Sequence, residues 1–426
     1  MAINKLKGTL DYYGEDAKKY NMIIGECEQI AEKFGFQAII TPLIEQTELF
    51  SRGVGDSSDI VKKEMYTFKD KSDRSITLRP EGTASITRAY VENKLYTTPG
   101  LGKYYYYGPM FRNERPQAGR FRQFVQFGIE TFGDENPYLD ADIINMGYQM
   151  ISNLNIKNIK VHINSIGSKT ARDNYVSKLK EYFRPHLSEL CEDCRERFEK
   201  NTLRMLDCKI DSSNEIMKNA PSIRQYLTPE DQEYFQKVLD TLELYDIPYV
   251  VDDHLVRGLD YYTGCVFEYI LEDVASPLYN LAVGAGGRYN GLSKEIGGPD
   301  IKAIGFALGV DRLILLSQTK IKKELADVTV ITLGEENKKY GLSMVNYLRK
   351  GGIAAEIDYN SNNLKPQFKL AERVSSPLII IIGTDEIQNN KFKIKDTINH
   401  LEFELSIDEL KQYFNIKGVE NYAYKK

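Results

Sequence analysis

The chain of 426 residues is 42% hydrophobic and 27% charged, a balance typical of a globular protein with about two or three domains. Its formal net charge of −5 argues against non-specific coating of nucleic acid, but it allows a specific RNA partner at a local basic surface. No run approaches the ~18 apolar residues of a membrane span, and residues 1–5 carry no secretory signal, so we expect a cytoplasmic protein with no membrane partner.

The first part of the chain combines one helix with several short strands. An apolar face at helical spacing predicts a helix over residues 17–34, which ends at Gly35 before a strand at 36–40 and Pro42. Alternating or aromatic segments predict further strands at 65–68, 75–78 and 103–108. Because few helices separate these strands, an antiparallel sheet is favoured over a repeated βαβ pattern.

Residues 168–250 have a different composition. They are rich in Lys, Glu, Arg and Leu and show little strand signal, so they predict a helical insertion domain. Strand-like segments return at 266–270 and 281–283, which indicates that the first domain is discontinuous and extends over residues 1–325. A charged connector at 320–324 marks its end.

The last part of the chain, residues 327–426, follows a βαβαβ pattern. Strands and helices are predicted in alternation at 328–333, 337–350, 353–357, 364–375 and 378–382. The unbroken apolar run of the third strand indicates burial on both faces, as in a parallel sheet covered by helices.

The densest chemical signal lies between Phe111 and Phe124, where four arginines and one glutamate fall within eleven residues. Pro116 and Gly119 interrupt this segment, which predicts a strand, a basic loop and a second strand. Arginines on facing strands can bind a polyphosphate through paired hydrogen bonds, and Phe124 offers a ring face to a purine. Taken alone, the segment is better explained as a solvated charged hairpin.

Residues 303–315 predict a glycine-containing strand that leads into an apolar helix with one arginine, and close packing alone would explain the glycines. In combination, however, the segments resemble the three ordered motifs of class II aminoacyl-tRNA synthetases. Pro42 matches motif 1. Arg112 with Glu114 matches motif 2, and Gly309 with Arg312 matches motif 3.

Two further peptides, residues 255–262 and 284–292, resemble the signature peptides of histidyl-tRNA synthetases. Residues 77–83 and 126–130 are similar to substrate-binding segments of the same family. A glycine-rich loop such as 284–291 is weak evidence by itself, but its pairing with the Arg257 peptide is specific. The resemblance runs from residue 5 to beyond residue 410. It implies an α+β fold, with an antiparallel-sheet catalytic core, a helical insertion and a C-terminal α/β anticodon-binding domain at 327–426.

The resemblance also implies an activity, its substrates and a set of site residues. The activity is the ATP-dependent formation of histidyl-adenylate and transfer of the histidyl group to the 3′ end of tRNA(His), by a homodimer that uses Mg²⁺. The resemblance assigns catalysis to Arg112 and Arg257, and it assigns ATP binding to Arg112, Glu114, Phe124 and Arg312. Histidine binding falls to Glu81, Thr83, Gln126, Glu130, Tyr261 and Tyr262. The tRNA acceptor end falls to Arg115 and Gln117, and the dimer interface to Pro42.

The five cysteines are odd in number and scattered, which excludes a disulfide framework and fits a reducing compartment. Cys191, Cys194, Cys208 and the earlier His186 have a spacing that zinc could use. The second Cys or His pair that makes such patterns specific is missing, so no metal site is predicted and free thiols are expected.

Two other functions remain open at this point. Related proteins serve as non-charging regulatory subunits in histidine biosynthesis, and those resemble the catalytic core but lack the C-terminal domain. Class II synthetases for threonine or proline are the other alternative, against which the peptides at 255–262 and 284–292 argue.

Overall fold

The computed structural model describes residues 3–55, 58–208, 210–321 and 325–417. The chain divides into two compact units, residues 1–319 and 320–426. Within the described ranges, no helix is both long and apolar enough to span a bilayer.

The first unit contains an eight-stranded sheet, a three-stranded sheet and ten α-helices among its described residues. Its strands are β1 (Gln37–Ala38), β2 (Ile44–Gln46), β3 (Tyr66–Lys69), β4 (Ser75–Leu78), β5 (Gly102–Phe111), β6 (Gln123–Phe132), β7 (Ile159–Ser165), β8 (Tyr249–Val251), β9 (Thr263–Leu271), β10 (Ala282–Arg288) and β11 (Ala303–Gly309). Its helices are α1 (Gly14–Lys33), α2 (Thr47–Val54), α3 (Thr83–Glu92), α4 (Pro137–Asn153), α5 (Lys169–Phe183), α6 (Glu192–Lys200), α7 (Glu215–Lys218), α8 (Pro229–Leu244), α9 (Leu292–Glu295) and α10 (Val310–Leu316). A π-helical turn covers Ile60–Glu64, and 3₁₀ turns cover Leu95–Thr97, Arg184–Glu189, Thr202–Met205 and Ile223–Gln225.

The large sheet has the strand order β1-β5-β6-β11-β10-β9-β7-β8. All of its inner pairs are antiparallel, and only the edge strands β1 and β8 run parallel to their neighbours. The small sheet has the order β2-β4-β3. The predicted antiparallel core is therefore confirmed.

Alternation along the strands gives the large sheet two different faces. Tyr105 and Ile129 point to one face, where they join a core that includes apolar residues of α1, α4, α8 and α10. Tyr106 and Phe132 point to the other face and pack in a second core. The polar site described below lies on this second face.

The predicted insertion, 168–250, is helical up to its final strand but does not pack as one body. Helices α5, α6 and α7 contribute to the second core. Helix α8 packs instead on α4 in the first core, and β8 completes the edge of the sheet. The domain boundaries predicted from sequence stay a prediction.

The glycine-rich segment 284–291 was expected to be a loop, and this expectation was wrong, because most of it forms β10. Its glycines permit the neighbouring strands to approach closely. A Cβ on Gly286 would lie 2.3 Å from the carbonyl oxygen of Gly305 on β11. Any side chain there would therefore separate the two strands.

The second unit is a five-stranded sheet with helices. Its elements are β12 (Val328–Thr332), α11 (Lys338–Lys350), β13 (Ala355–Ile357), α12 (Leu364–Arg373), β14 (Leu378–Ile382), α13 (Thr384–Asn389), β15 (Lys391–Asp396), β16 (Leu401–Ser406) and α14 (Ile407–Tyr413). Strands β13, β12 and β14 are parallel, as predicted, while β15 and β16 add an antiparallel hairpin that was not predicted.

Candidate active site

A cavity of about 840 Å³ opens on the second face of the large sheet. Its wall contains most of the residues that the sequence assigned to substrates, namely Glu81, Thr83, Arg112, Glu114, Phe124, Gln126, Arg257, Tyr261, Tyr262 and Arg312. These come from segments far apart in sequence, which the β5-β6-β11-β10-β9 part of the sheet brings together.

One part of the cavity is cationic. The guanidinium of Arg112 lies 5.1 Å from the ring centre of Phe124, and its Nε donates to the carbonyl oxygen of Pro80 at 2.9 Å. Arg312 donates from Nε to the carbonyl oxygen of Gly119 at 2.9 Å. Burial, followed by the charges of Arg120 and Arg112, lowers the pKa of Arg312 to about 10. Such a concentration of positive charge favours an anionic ligand.

Arg257 lies in the same cavity and is paired with a carboxylate. It forms an ion pair with Glu268 of β9, and its guanidinium lies 5.6 Å from the ring centre of Tyr262. The side chains of Arg257 and Glu268 are 18% and 19% exposed, so both remain accessible from the cavity.

A second part of the cavity is anionic and is built at the start of α3. The Glu81 carboxylate accepts hydrogen bonds from the backbone N–H groups of Thr83 (2.7 Å) and Ala84 (2.9 Å). The hydroxyl of Tyr261 lies 3.5 Å from the same carboxylate. Burial is the main cause that raises the pKa of Glu81, whereas these backbone hydrogen bonds favour its ionised form.

Glu130 lies behind the cavity wall and is held by three hydroxyls. Thr83 Oγ1 donates to its Oε1 at 2.7 Å, Tyr106 donates to the same oxygen at 3.2 Å, and Tyr289 donates to Oε2 at 2.5 Å. The residue is only 1% exposed, and burial raises its pKa to about 8 despite these hydrogen bonds. A Cβ on Gly305 would lie 2.0 Å from Oε2, so only glycine leaves room for this carboxylate.

Two buried polar atoms of the cavity have no hydrogen-bond partner among the described residues. They are Oε1 of Gln126 and Nε of Arg257. A buried polar atom without a partner is costly, and both side chains line the cavity. These two atoms are therefore available to a bound ligand.

Comparison with known proteins identifies the family. The family model described as Histidyl-tRNA synthetase matches residues 8–313, and the one described as Anticodon binding domain matches residues 327–416. The chain belongs to the histidyl-tRNA synthetase family. It is 43% identical to the histidine–tRNA ligase of Desulforamulus reducens over 96% of this chain and 98% of that protein. It is also 43% identical to that of Staphylococcus saprophyticus over 97% and 99%. The crystal structure of the apo histidyl-tRNA synthetase of S. aureus is similar, with a TM-score of 0.83 at 36% identity over 97% of this chain and 100% of that one.

Besides Glu130, three predicted site residues of this histidyl-tRNA synthetase family member lie outside the cavity wall. Arg115 and Gln117 are exposed. Gln117 begins a tight turn in which its backbone pairs with Arg120 at 3.1 and 2.9 Å, and Gly119 supplies a φ of +70°. Pro42 is exposed between β1 and β2.

Sequence reasoning missed several residues that the structure places at this synthetase-family site. Tyr106 and Tyr289 hold Glu130, Glu268 pairs with Arg257, and Arg120 faces Glu114 at 3.5 Å. Glu268 had a usable signal, since it is a charged residue in the middle of an apolar strand. The strand alternation of residues 104–107 would have directed Tyr106 to one face, but it did not reveal which face carries the site.

Proposed function

We propose that this chain is a histidine–tRNA ligase that uses ATP and L-histidine to charge tRNA(His). The observation that carries the proposal is the pairing, in one cavity, of a guanidinium cluster with a buried carboxylate and hydroxyl pocket. The first part suits the phosphates of ATP, and the second suits a small cationic or hydrogen-bonding amino acid. Family membership supports both assignments.

In the first half-reaction, an oxygen of the histidine carboxylate attacks the α-phosphorus of ATP, and the bond to pyrophosphate breaks. Arg112 and Arg257 stabilise the charge that develops there, because fixed cations in a partly desolvated site act without reorganisation. Arg312 binds the far end of ATP, and Phe124 stacks on the purine. This reaction needs no nucleophilic side chain.

Histidine itself is bound by the other part of the cavity. Glu81 accepts hydrogen bonds from the ammonium group of histidine, assisted by Thr83. Oε1 of Gln126, which has no partner among the described residues, accepts a further hydrogen bond from this group. Glu130 recognises the imidazole, together with Tyr261 and Tyr262. In the second half-reaction the terminal ribose hydroxyl of the tRNA attacks the adenylate carbonyl, and the departing phosphate accepts its proton.

Magnesium fits the phosphate end of this cavity. Glu114 lines it, and carboxylate oxygens are the ligands that Mg²⁺ prefers. Bound there with ATP, the ion would neutralise phosphate charge. The arginines remain the groups of the chain that position the α-phosphate.

Pyrophosphate exchange with each of the twenty amino acids, followed by charging of tRNA(His), tests the function. We expect exchange with histidine alone, and then charging. A regulatory subunit would bind histidine without exchange, and a threonine or proline enzyme would exchange with its own amino acid; either result contradicts the proposal. Residues 327–416, which match an anticodon-binding domain, are proposed to bind the tRNA anticodon, and the enzyme is proposed to act in the cytoplasm.

We predict a homodimer formed through the segment around Pro42. Ile40, Leu43 and Ile44 are 94%, 41% and 49% exposed, and they adjoin the edge strand β1. An exposed apolar patch beside an open strand edge favours self-association. Light scattering at micromolar concentration should give twice the chain mass of 48.8 kDa. Ile40→Glu should weaken the dimer.

The control for the dimer is Ile398→Glu, the same change at an isoleucine that is 64% exposed in the second unit. It should leave the mass unchanged. A fully active monomer would contradict the prediction.

We predict that Arg115→Ala or Gln117→Ala lowers tRNA charging by about 10-fold while leaving pyrophosphate exchange near normal. Both side chains are exposed on the loop beside the cavity, Arg115 before the tight turn and Gln117 at its start, where they can reach bases or phosphates of an acceptor stem. The resemblance to histidyl-tRNA synthetases implies that this loop recognises an extra guanosine at the 5′ end of the tRNA. Charging rates with and without that guanosine measure the base contact.

Arg74→Ala is the control, because Arg74 is an exposed arginine paired with Asp70 on a different loop. It should change neither rate. Equal losses in exchange and charging would instead assign Arg115 and Gln117 to ATP.

A further inference from the structure

Three cysteines and one aspartate converge between α5 and α8. One ligand atom from each of Cys191, Cys194, Cys208 and Asp211 lies within 4.8 Å of all the others. Cys194 and Cys208 are buried, Asp211 is 8% exposed, and none of these cysteines is in a disulfide. The mechanism proposed above uses none of the four side chains.

We propose that these four residues bind one structural zinc ion. Thiolate and carboxylate donors suit Zn²⁺, and four protein ligands with no open position are typical of structural rather than catalytic sites. Sulfurs about 2.3 Å from a tetrahedral zinc lie about 3.8 Å apart. Sγ of Cys191 and Sγ of Cys208 are 3.6 Å apart.

The backbone forms two matching turns around the cluster. In Cys191-x-x-Cys194, the N–H of Cys194 donates to Sγ of Cys191 at 3.4 Å. In Cys208-x-x-Asp211, the N–H of Asp211 donates to Sγ of Cys208, also at 3.4 Å. Each turn therefore presents its first and last side chains to the same point. The second pair that the sequence pattern lacked is supplied by a cysteine and an aspartate.

The charge of Asp211 supports a bound cation. Asp211 is buried, yet no side chain in the described part of the insertion forms an ion pair with it. Lys209, a nearby cation in sequence, lies outside the described residues. Buried carboxylates are normally paired or bound to metal. The N–H of Cys191 donates to Asp211 Oδ2 at 3.0 Å, which orients the carboxylate toward the sulfurs as an outer-shell contact does in metal sites.

His186, the fourth residue considered from sequence, is not part of the cluster. Its Nδ1 lies 3.1 Å from Glu189 Oε1 on an exposed turn. Because His186 is paired with Glu189 and lies outside the cluster, a substitution of His186 is a suitable negative control for zinc binding.

The position of the cluster gives the ion a structural role. Cys191 is the N-cap of α6, and Cys208 lies three residues after the 3₁₀ turn that contains Arg204. Arg204 donates to the carbonyl oxygen of Gly258 at 2.6 Å, directly beside Arg257. Zinc would therefore join two short segments that support the Arg257 peptide.

The test uses the full chain purified without chelator, with metal content measured by plasma mass spectrometry. We expect about one zinc per chain, as for a closed structural site. Cys208→Ser and Asp211→Asn should each weaken zinc binding by at least about 10-fold. Asp193→Asn and His186→Ala should retain the zinc, since Asp193 pairs with Lys63 and His186 with Glu189.

A second measurement does not depend on variants that fold. Cobalt added to the metal-free wild-type chain should give the thiolate-to-metal charge-transfer and tetrahedral visible bands of a Co²⁺–thiolate centre. Absent bands with substoichiometric zinc would overturn the proposal. A disulfide between two of these cysteines would also overturn it. Such a disulfide would lower the mass of the chain by two hydrogens, and treatment with reductant would restore the full mass.

Discussion

Arg257→Ala is expected to lower histidine-dependent pyrophosphate exchange by about 10²-fold or more, the usual cost of removing one electrostatic contact to a transition state. The side chain lies in the cavity with Arg112 and Arg312, and its Nε has no partner among the residues that the structure describes. It is thus available to the α-phosphate. Histidine binding, measured by calorimetry, should largely survive, because the Glu81 and Glu130 end of the cavity is unchanged.

The alternative explanation for such a loss is structural, since Arg257→Ala leaves Glu268 without its partner. The double variant Arg257→Met/Glu268→Gln removes both charges and so relieves any destabilisation caused by an unpaired carboxylate. If Arg257 acts on the phosphate, the double variant remains as slow as the single one. Recovery of exchange in the double variant, or near-normal exchange in the single one, would contradict the catalytic role. Arg224→Ala, an exposed arginine beside Asp253, is the matched control and should be active.

The parts of the fold predicted correctly are those with a strong local signal. Helix α1 repeats an apolar face over several turns, β5 contains a run of aromatic residues, and β14 is an unbroken apolar run. Strand β10 was mistaken for a loop because its three glycines, which local preference assigns to turns, are required by close contact with the neighbouring strands β11 and β9. The hairpin β15–β16 was missed although both of its six-residue strands alternate apolar and polar residues, a pattern that indicates half-buried strands.

The position of a residue in the cavity was predictable where it depends on the sequence of one peptide, as for Arg112 and Arg257. It was not predictable where a role depends on packing across segments. That Glu130 lies behind the hydroxyls of Tyr106 and Tyr289 depends on strand register. Asp211 was overlooked because an aspartate three residues beyond a cysteine pattern carries no signal until the chain folds it onto Cys191.

Glu130→Gln is expected to lower kcat/KM for histidine in pyrophosphate exchange by about 10²-fold, because the imidazole N–H loses its hydrogen bond to a carboxylate whose ionised form bound histidine favours. The amide has nearly the shape of the carboxylate, and the hydroxyls of Thr83, Tyr106 and Tyr289 can accept as well as donate, so the pocket should stay intact. L-histidine should raise the melting temperature of the wild type but not of the variant. Glu135→Gln, an exposed carboxylate just beyond β6, is the control for the loss of one charge and should behave as wild type.

The same substitution should stabilise the free protein, and the effect should depend on pH. Burial raises the pKa of Glu130 from 4.5 to about 8, so its contribution to folded-state stability is fully present below pH 4.5 and is lost as pH rises toward 8. Glutamine cannot ionise and escapes this loss. Without histidine, the melting temperature of Glu130→Gln relative to wild type should therefore increase across this pH range. A variant that is less stable than wild type near pH 8 would show that the carboxylate of Glu130 stabilises the fold. A variant that is more stable but no longer activates histidine would show that the fold retains a destabilising buried carboxylate because the substrate needs it.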